Sequence, residues 1–448
     1  MTLPDVDIDR EYIEIYPVRW GELSENDVKS IFTNRTDYGI DRIAIYIHVP
    51  FCPELCPFCG FYKVMHDADL ESHYIDALIE ELGWYRNHPD TQGRLVDAVY
   101  FGGGTASVLP AEAIHRVMKH IGEIFGLVPE VEVTVESHPS TLSLAKLQAY
   151  RSVGVNRLSI GIQSFVDAKL RSLGRKNTSA ENERVLEAAS GVGIDKVSID
   201  LLYRVPNETM DDLRQDLEMV ARYSPTNISC YRLMLEGTRM EKGLPLVPSQ
   251  SAEAEMTAFV RERLFAAGYE QWSSADFCKP GGMTLYNIDY WRAPQTLVLG
   301  LGAGAHTHLF GSHVWANAYS VRKYMSMVSR HEFPAVLGQR VTPDDLMRRY
   351  FSLGAHCLSL DLRPFRSLYG VDAEVVFATE IADLESRGWI TVADSTLKVT
   401  EYGQLYISNI KRTFFAKDQV GEAQPWGKRL AHASARAHQV PLQEEDEL

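Results

Sequence analysis

The chain has 448 residues, 45% of them hydrophobic, and a formal net charge of −15. That length suits a large domain with a smaller one attached, and the acidic balance disfavours phosphate-rich partners, so nucleic acid is not an expected ligand. Six cysteines in such a length exclude a disulfide scaffold, no run reaches the roughly 18 apolar residues of a membrane span, and the acidic opening MTLPDVDIDREYIEIYP lacks the apolar stretch of a signal peptide, so a cytoplasmic location and no membrane partner are expected.

Residues 1–40 read as an N-terminal extension. From 41 onward, strand-like and helix-like segments alternate. IAIYIHV (43–49) is rich in β-branched residues, and LESHYIDALIEELGWY has helical spacing. VDAVYF (96–101), EVEVTVE (130–136), RLSIGIQ (157–163), KVSIDLL (196–202) and ISCYRLML (228–235) continue the strand series, with helical segments between them. Such repetition with short connections predicts a parallel sheet, and six strands predict an incomplete (β/α)6 TIM-like barrel with its chemistry at the C-terminal strand ends.

QTLVLGLGAGAHTH predicts one more strand entering a glycine turn, which closes a core spanning 41–310. Residues 311–342 read as a connector. The segment 343–415, helices followed by the hairpin ITVADSTLKVTEYG, predicts a small winged-helix-like domain that covers the barrel as a lid. Residues 416–448 are polar and unpatterned and read as a tail.

The first strand runs into YIHVPFCPELCPFCGFYK. Cys52, Cys56 and Cys59 are spaced Cys-x3-Cys-x2-Cys in a loop broken by proline and glycine, a poor match to buried core cysteines. Structural zinc wants four ligands, and the candidates for a fourth, His48 and His66, are badly placed. An iron–sulfur cluster held by three thiolates leaves one iron without a protein ligand. That open iron can bind S-adenosylmethionine (SAM) through its amino and carboxylate groups.

FGGGT (Phe101–Thr105) follows the second strand, and three glycines there let backbone approach a ligand. Glu136 ends the third strand. Gln163, Arg175 and Asp200 each read alone as ordinary polar residues. Asp200, however, lies in an apolar strand where an unpaired carboxylate is costly, and Arg175 can clamp a carboxylate. His306 and His308 in GAGAHTH read as a loop feature rather than a metal pair.

Taken together, the cysteine loop and the stretches YFGGGTASVL, SIGIQSFVDAKLRSLGRKN, SIDLLYRVPNETMDDLRQDL and YRLMLEGTRM resemble the radical SAM enzymes, in the branch around oxygen-independent coproporphyrinogen III dehydrogenase. The resemblance spans roughly 40–415. It implies a 4Fe-4S cluster on Cys52, Cys56 and Cys59. It also implies SAM contacts from Gly102, Gly103, Gly104, Thr105 and Glu136, with Tyr46 and Phe58 around cluster and ligand. Gln163, Arg175 and Asp200 match positions that hold a second SAM, so two molecules are expected, and the His306 loop falls near the second.

One departure steers the functional expectation. The coproporphyrinogen enzyme carries a further cysteine two positions after the third, where this chain has Phe61. CGFYK instead resembles class C radical methyltransferases and cyclopropanases. The leading expectation is therefore transfer of a methyl or methylene unit to an sp² carbon of a small molecule, with a partner methyltransferase completing ring closure where a ring forms. The alternatives are coproporphyrinogen dehydrogenation and a haem chaperone of the same branch. No flavin or second cluster motif is visible, so a flavodoxin or ferredoxin electron donor is expected.

Overall fold

The computed structural model describes residues 16–420 except 18–19, 34–38, 195, 236–237, 242–247, 249, 292–296 and 310–311. The expected N-terminal extension up to residue 15 and the expected tail from 421 lie outside the described residues.

The first strands in chain order are β1 (Gly21–Glu22), β2 (Arg42–Val49), β3 (Phe51–Cys52), β4 (Val64–Met65), β5 (Leu95–Gly103) and β6 (Gly126–Ser137). Next come β7 (Arg157–Gln163), β8 (Lys196–Tyr203), β9 (Asn227–Arg232), β10 (Glu270–Gln271), β11 (Asp276–Cys278) and β12 (Leu297–Leu301). The last are β13 (His306–Leu309), β14 (His313–Asn317), β15 (Ala335–Arg340), β16 (Ser359–Asp361), β17 (Ile390–Ala393) and β18 (Thr396–Val399).

All six predicted core strands form, and β2-β5-β6-β7-β8-β9 lie side by side in parallel, in sequence order. The seventh, β12, pairs in parallel with β2 at the start of this series, not with β9 at its end. Antiparallel strands extend both margins, so the order runs from β1 to β10 and no ladder joins those two edges among the described residues.

Strand periodicity assigns the two faces. Ile43, Ile45, Ile47 and Val49 of β2 are fully buried against the helices, while Tyr46 and His48, on the alternate face, line a cavity. Inward side chains of β5, β6, β7, β8 and β9 line the same cavity, so the sheet curves around it. Four of the helices between strands start where side-chain caps satisfy their first N–H groups: Asp67 for Ala68–Trp84, Ser143 for Leu144–Ser152, Thr178 for Ser179–Gly191 and Thr209 for Met210–Tyr223.

Residues 311–342, expected as a connector, instead build β14, helix Val321–Ser329 and β15. Short, buried runs such as HVWAN carry no alternation, so their strand character was hidden. The glycine turn after β12 is pinned from behind. Buried Glu81 accepts hydrogen bonds from Gly302 N at 2.9 Å, Asn317 Nδ2 at 2.7 Å and the Tyr324 hydroxyl at 2.6 Å. With only neutral donors around it, burial raises its pKa to about 7. The Tyr74 hydroxyl donates to the His48 carbonyl at 2.7 Å and accepts from Ala303 N at 2.8 Å, tying the turn to β2.

From helix Pro343–His356 onward a second core forms around Phe351, Phe365, Phe377, Trp389 and Phe414, over the three-stranded sheet β16-β18-β17. Tyr231 and Met234, at the end of β9, pack against it. The last described turn, Lys417–Val420, is helical, and Gln419 Nε2 reaches the Tyr16 hydroxyl at 3.3 Å.

Candidate functional site

The cysteine loop is tied down at both ends. Val64 N donates to the Pro50 carbonyl at 2.8 Å and His66 N to the Cys52 carbonyl at 2.9 Å. Gly104 N and Thr105 N donate to the carbonyls of Val49 and Phe51, each at 2.8 Å, which binds the FGGGT turn to the loop. Lys63 Nζ donates to the Cys59 carbonyl at 2.7 Å. All three thiols are free and line one cavity of about 910 Å³.

These thiols suit a cluster. Burial pushes the Cys52 thiol up to about 11 and raises Cys56 as well, so only a strong local cation makes thiolates of them, and bound iron is such a cation. Arg175 Nη1 lies 3.8 Å from Cys56 Sγ and its charge works in the same direction. Thr105 Oγ1 donates to Cys52 Sγ at 3.5 Å. Among the described residues no three His, Cys, Asp or Glu side chains gather around a single ion. Thiolates that each take a different iron of a cube need no common point.

The glycines form a cradle. At Gly103, φ is +111°, and a Cβ there would lie 2.5 Å from the His48 ring; at Gly104 it would lie 2.7 Å from the Phe51 carbonyl oxygen, and at Gly102 2.9 Å from the Glu136 carboxyl carbon. Glu136 accepts from Gly103 N and from the Tyr100 hydroxyl, each at 2.8 Å. Burial raises the pKa of Glu136 and of Asp276, and burial with the neighbouring Glu136 and Asp276 charges raises Asp200 to about 8. Half-buried Glu136 and Asp200 and buried Asp276 make this interior favourable for a cation such as a sulfonium.

Gln163 sits at an irregularity of β7 with φ of +66°. Its neighbour Gly161 accepts from Arg175 Nη2 at 2.5 Å. A polar chain holds this turn: Arg175 Nε donates to Asn177 Oδ1 at 3.0 Å, Asn177 Nδ2 to Asn182 Oδ1 at 2.8 Å, and Asn182 Nδ2 to the Ser164 carbonyl at 2.8 Å. Beneath it Lys169 Nζ contacts Asp216 at 2.6 Å and Glu208 at 2.5 Å, and Asp216 accepts from Phe165 N at 2.6 Å.

Thus Tyr46, Cys52, Cys56, Phe58, Cys59, Gly103, Gly104, Thr105, Glu136, Gln163, Arg175 and Asp200 all line the cavity. Gly102 stands just behind it, against Tyr100 and Glu136. Phe58 also packs on Leu173, Leu202 and Leu233. His306 lines the cavity too, with Nε2 2.5 Å from the Tyr319 hydroxyl, whereas His308 is buried behind it.

Apart from Tyr46, sequence reasoning missed the far half. Tyr46, Tyr100, Tyr286 and Tyr290 stack successively with centroids 6.1, 4.7 and 5.9 Å apart. Beyond them stand Tyr231, Arg232, Trp291, His356 and Arg412, the last two from the C-terminal unit. The period-two offset from Gly102 to Tyr100 was a usable signal for the first part of this wall. Helix Leu285–Trp291 offered none, since it carries tyrosines without a motif.

Residues 46–220 match the sequence model of the Radical SAM superfamily. A curated relative from Escherichia coli (strain K12), named "Heme chaperone HemW", is 28% identical over 388 residues, covering 84% of this chain and 98% of that protein. A relative of the same name from Lactococcus lactis is 32% identical over 271 residues, covering 59% of this chain and 69% of that protein. The solved structure of coproporphyrinogen III oxidase (HemN) from Escherichia coli, a radical SAM enzyme, aligns at 25% identity with a TM-score of 0.78, covering 91% of this chain and 99% of that one. No helix among the described residues is long and apolar enough to cross a membrane.

These likenesses overturn the expected methyltransferase or cyclopropanase. The relatives that match along their whole length are named as haem chaperones, and neither an sp²-carbon acceptor nor a partner methyltransferase finds support. That expectation rested on Phe61, a side chain half exposed at the cavity's edge, with no bond to the interior groups just described.

Proposed function

Because the chain belongs to the radical SAM superfamily, in its HemN/HemW-like branch, we propose that it is a haem carrier whose cavity holds a 4Fe-4S cluster and SAM at one end and haem at the other. The superfamily implies the cluster and SAM. When bound, the cluster supplies the electron for reductive cleavage of the sulfonium.

In this reading Cys52, Cys56 and Cys59 hold the cluster. Gly102, Gly103, Gly104 and Thr105 bring backbone against SAM. Glu136 and Asp200 face its positive charge, and Arg175 and Gln163 orient it beside the Cys56 thiolate. Gln163, Arg175 and Asp200, which the resemblance assigns to a second SAM, serve the first in this reading, and haem lies along the aromatic wall in place of a second SAM. The tyrosine stack offers flat apolar faces to a macrocycle, and Arg412 offers a cation to its carboxylates, while Arg232 is held by Glu253 at 3.1 Å. The C-terminal unit acts as a winged-helix-like lid, contributing His356 and Arg412. A flavodoxin or ferredoxin supplies electrons from outside.

The observation that carries this reading is one cavity lined both by the three thiols with Glu136 and Asp200 and by the tyrosine stack with Trp291 and Arg412. Its test is anaerobic reconstitution followed by haem titration and by incubation with SAM, reductant and coproporphyrinogen III. A Soret band at one haem per chain without consumption of porphyrinogen supports the carrier. Rapid decarboxylation of the porphyrinogen with no stable haem complex contradicts it and supports the dehydrogenase that the HemN likeness suggests.

The glycine cradle makes a separate expectation. Gly103→Ala adds a methyl group against the His48 ring at a φ that L residues rarely adopt, a strain of about 1–3 kcal/mol. The variant should keep its iron and lose roughly ten-fold or more in SAM affinity, measured by equilibrium dialysis on cluster-loaded protein.

A further inference from the structure

Arg204 breaks a backbone rule at the C-terminal end of β8, where such folds hold their ligands. It follows Tyr203 directly and adopts φ of +62°, a left-handed conformation unfavourable to a long side chain. The strap beyond it is fixed: Val205 N donates to Glu208 Oε2 at 2.8 Å, and Glu208 contacts the buried Lys169. Strain of this kind persists only where the surroundings over-determine it, and it gathers at ligand clamps.

Glu253, on the helix Gln250–Ala266, is what Arg204 reaches for. Arg204 Nε lies 2.8 Å from Glu253 Oε2, and Arg232 Nη1 donates to Glu253 Oε1 at 3.1 Å. Arg204 Nη1 also donates to the carbonyl of Leu233, the residue after Arg232, at 3.4 Å. One carboxylate therefore faces two guanidiniums, and the trio sums to one positive charge. The side chains of Arg204, Glu253 and Arg232 are 13%, 9% and 17% exposed, so water and salt screen that charge poorly. Of the three, Arg232 lines the cavity of about 910 Å³, beside Tyr231, Leu233 and Met234. Because Arg204 takes the second oxygen of Glu253, the Glu253 bond aims Arg232 without cancelling its charge.

We propose that Arg232 is a specificity-determining contact that takes a carboxylate of the haem this chain carries, and that Arg204 and Glu253 are positioning residues that aim it; the inference rests on the haem-carrier reading. The strain at Arg204 then has a task. Glycine would relax the turn, but it would leave Glu253 to Arg232 alone, as a closed and neutral pair that holds a carboxylate weakly.

The test is anaerobic titration of the cluster-loaded full chain with haem and with haem dimethyl ester, in which both carboxylates are masked. It compares the wild type with Arg232→Met, Arg204→Gly and Arg204→Lys, with near-ultraviolet circular dichroism reporting folding. The wild type should bind haem more tightly than the ester by about ten-fold or more. Arg232→Met should lose that preference by weakening haem and leaving the ester alone. Arg204→Gly should lose much of it while its urea midpoint does not fall, since glycine is at ease at this φ. Arg204→Lys, which keeps a cation beside Glu253, should retain most of it. A purely structural role for Arg204 would lower the midpoint and leave the preference intact, and that result overturns the proposal. So does a wild type that binds haem and ester equally, while the carrier reading stands. A wild type that binds neither overturns both. If Arg232→Met fails to fold, Arg204→Gly decides: an unchanged preference overturns the assignment, and its loss without loss of stability supports it.

Discussion

Exchanging Cys56 for alanine should leave the anaerobically reconstituted chain colourless, its iron falling from about four per chain to near none. Cys52→Ala and Cys59→Ala should do the same, since two thiolates leave two irons of the cube open to solvent and chelators. The three thiols share one loop stitched to the FGGGT turn, so each loss removes a ligand that no neighbour can replace. Cys230, Cys278 and Cys357 are not among the residues that line the cavity. Their alanine variants should keep full iron, which makes them internal controls. Iron and sulfide analysis with the visible absorption of the cluster reads the result.

Lys169→Met should have the largest effect on stability. Lys169 is 2% exposed, and it lies between Glu208 and Asp216, whose side chains are 0% and 1% exposed. Burial alone would lower the lysine's pKa, but Asp216 and Glu208 together raise it, so the ammonium stays charged. Removing it leaves two carboxylates buried without their cation, a loss of about 3–5 kcal/mol. The deficit should shrink as pH falls toward 5, because burial raises the Glu208 pKa and the variant lacks the lysine that opposes that rise, so its folded state takes up a proton before the unfolded chain does. Urea unfolding of wild type and variant at the two pH values checks both statements. The damage should spread to the cofactor end, because Asp216 holds Phe165 N just after Gln163.

Much of the fold could be read from residue order. RLSIGIQ forms β7 with both ends as read, because apolar residues between turn-forming neighbours leave little choice of boundary. The cysteine loop was equally legible, since its spacing has few physical uses. The margins of the sheet were not: β13, β14 and β15 are short and take their strand character from pairing with one another, which no local pattern encodes. The far half of the cavity stayed hidden for a related reason. Tyr286 and Trp291, on one helix, meet His356 and Arg412 only through the C-terminal unit, far along the chain. Phe61 misled because a single residue in a motif was given a meaning that its half-exposed position does not support.

In the proposed site the trio of thiolates presents an iron to SAM inside this cavity. EPR of the dithionite-reduced, reconstituted chain, recorded before and after SAM is added, tests it most directly. The account predicts a cubane signal whose g-values shift when SAM is added, with the shift weakened in Gly103→Ala. A cluster signal that SAM leaves untouched at saturating concentration contradicts it.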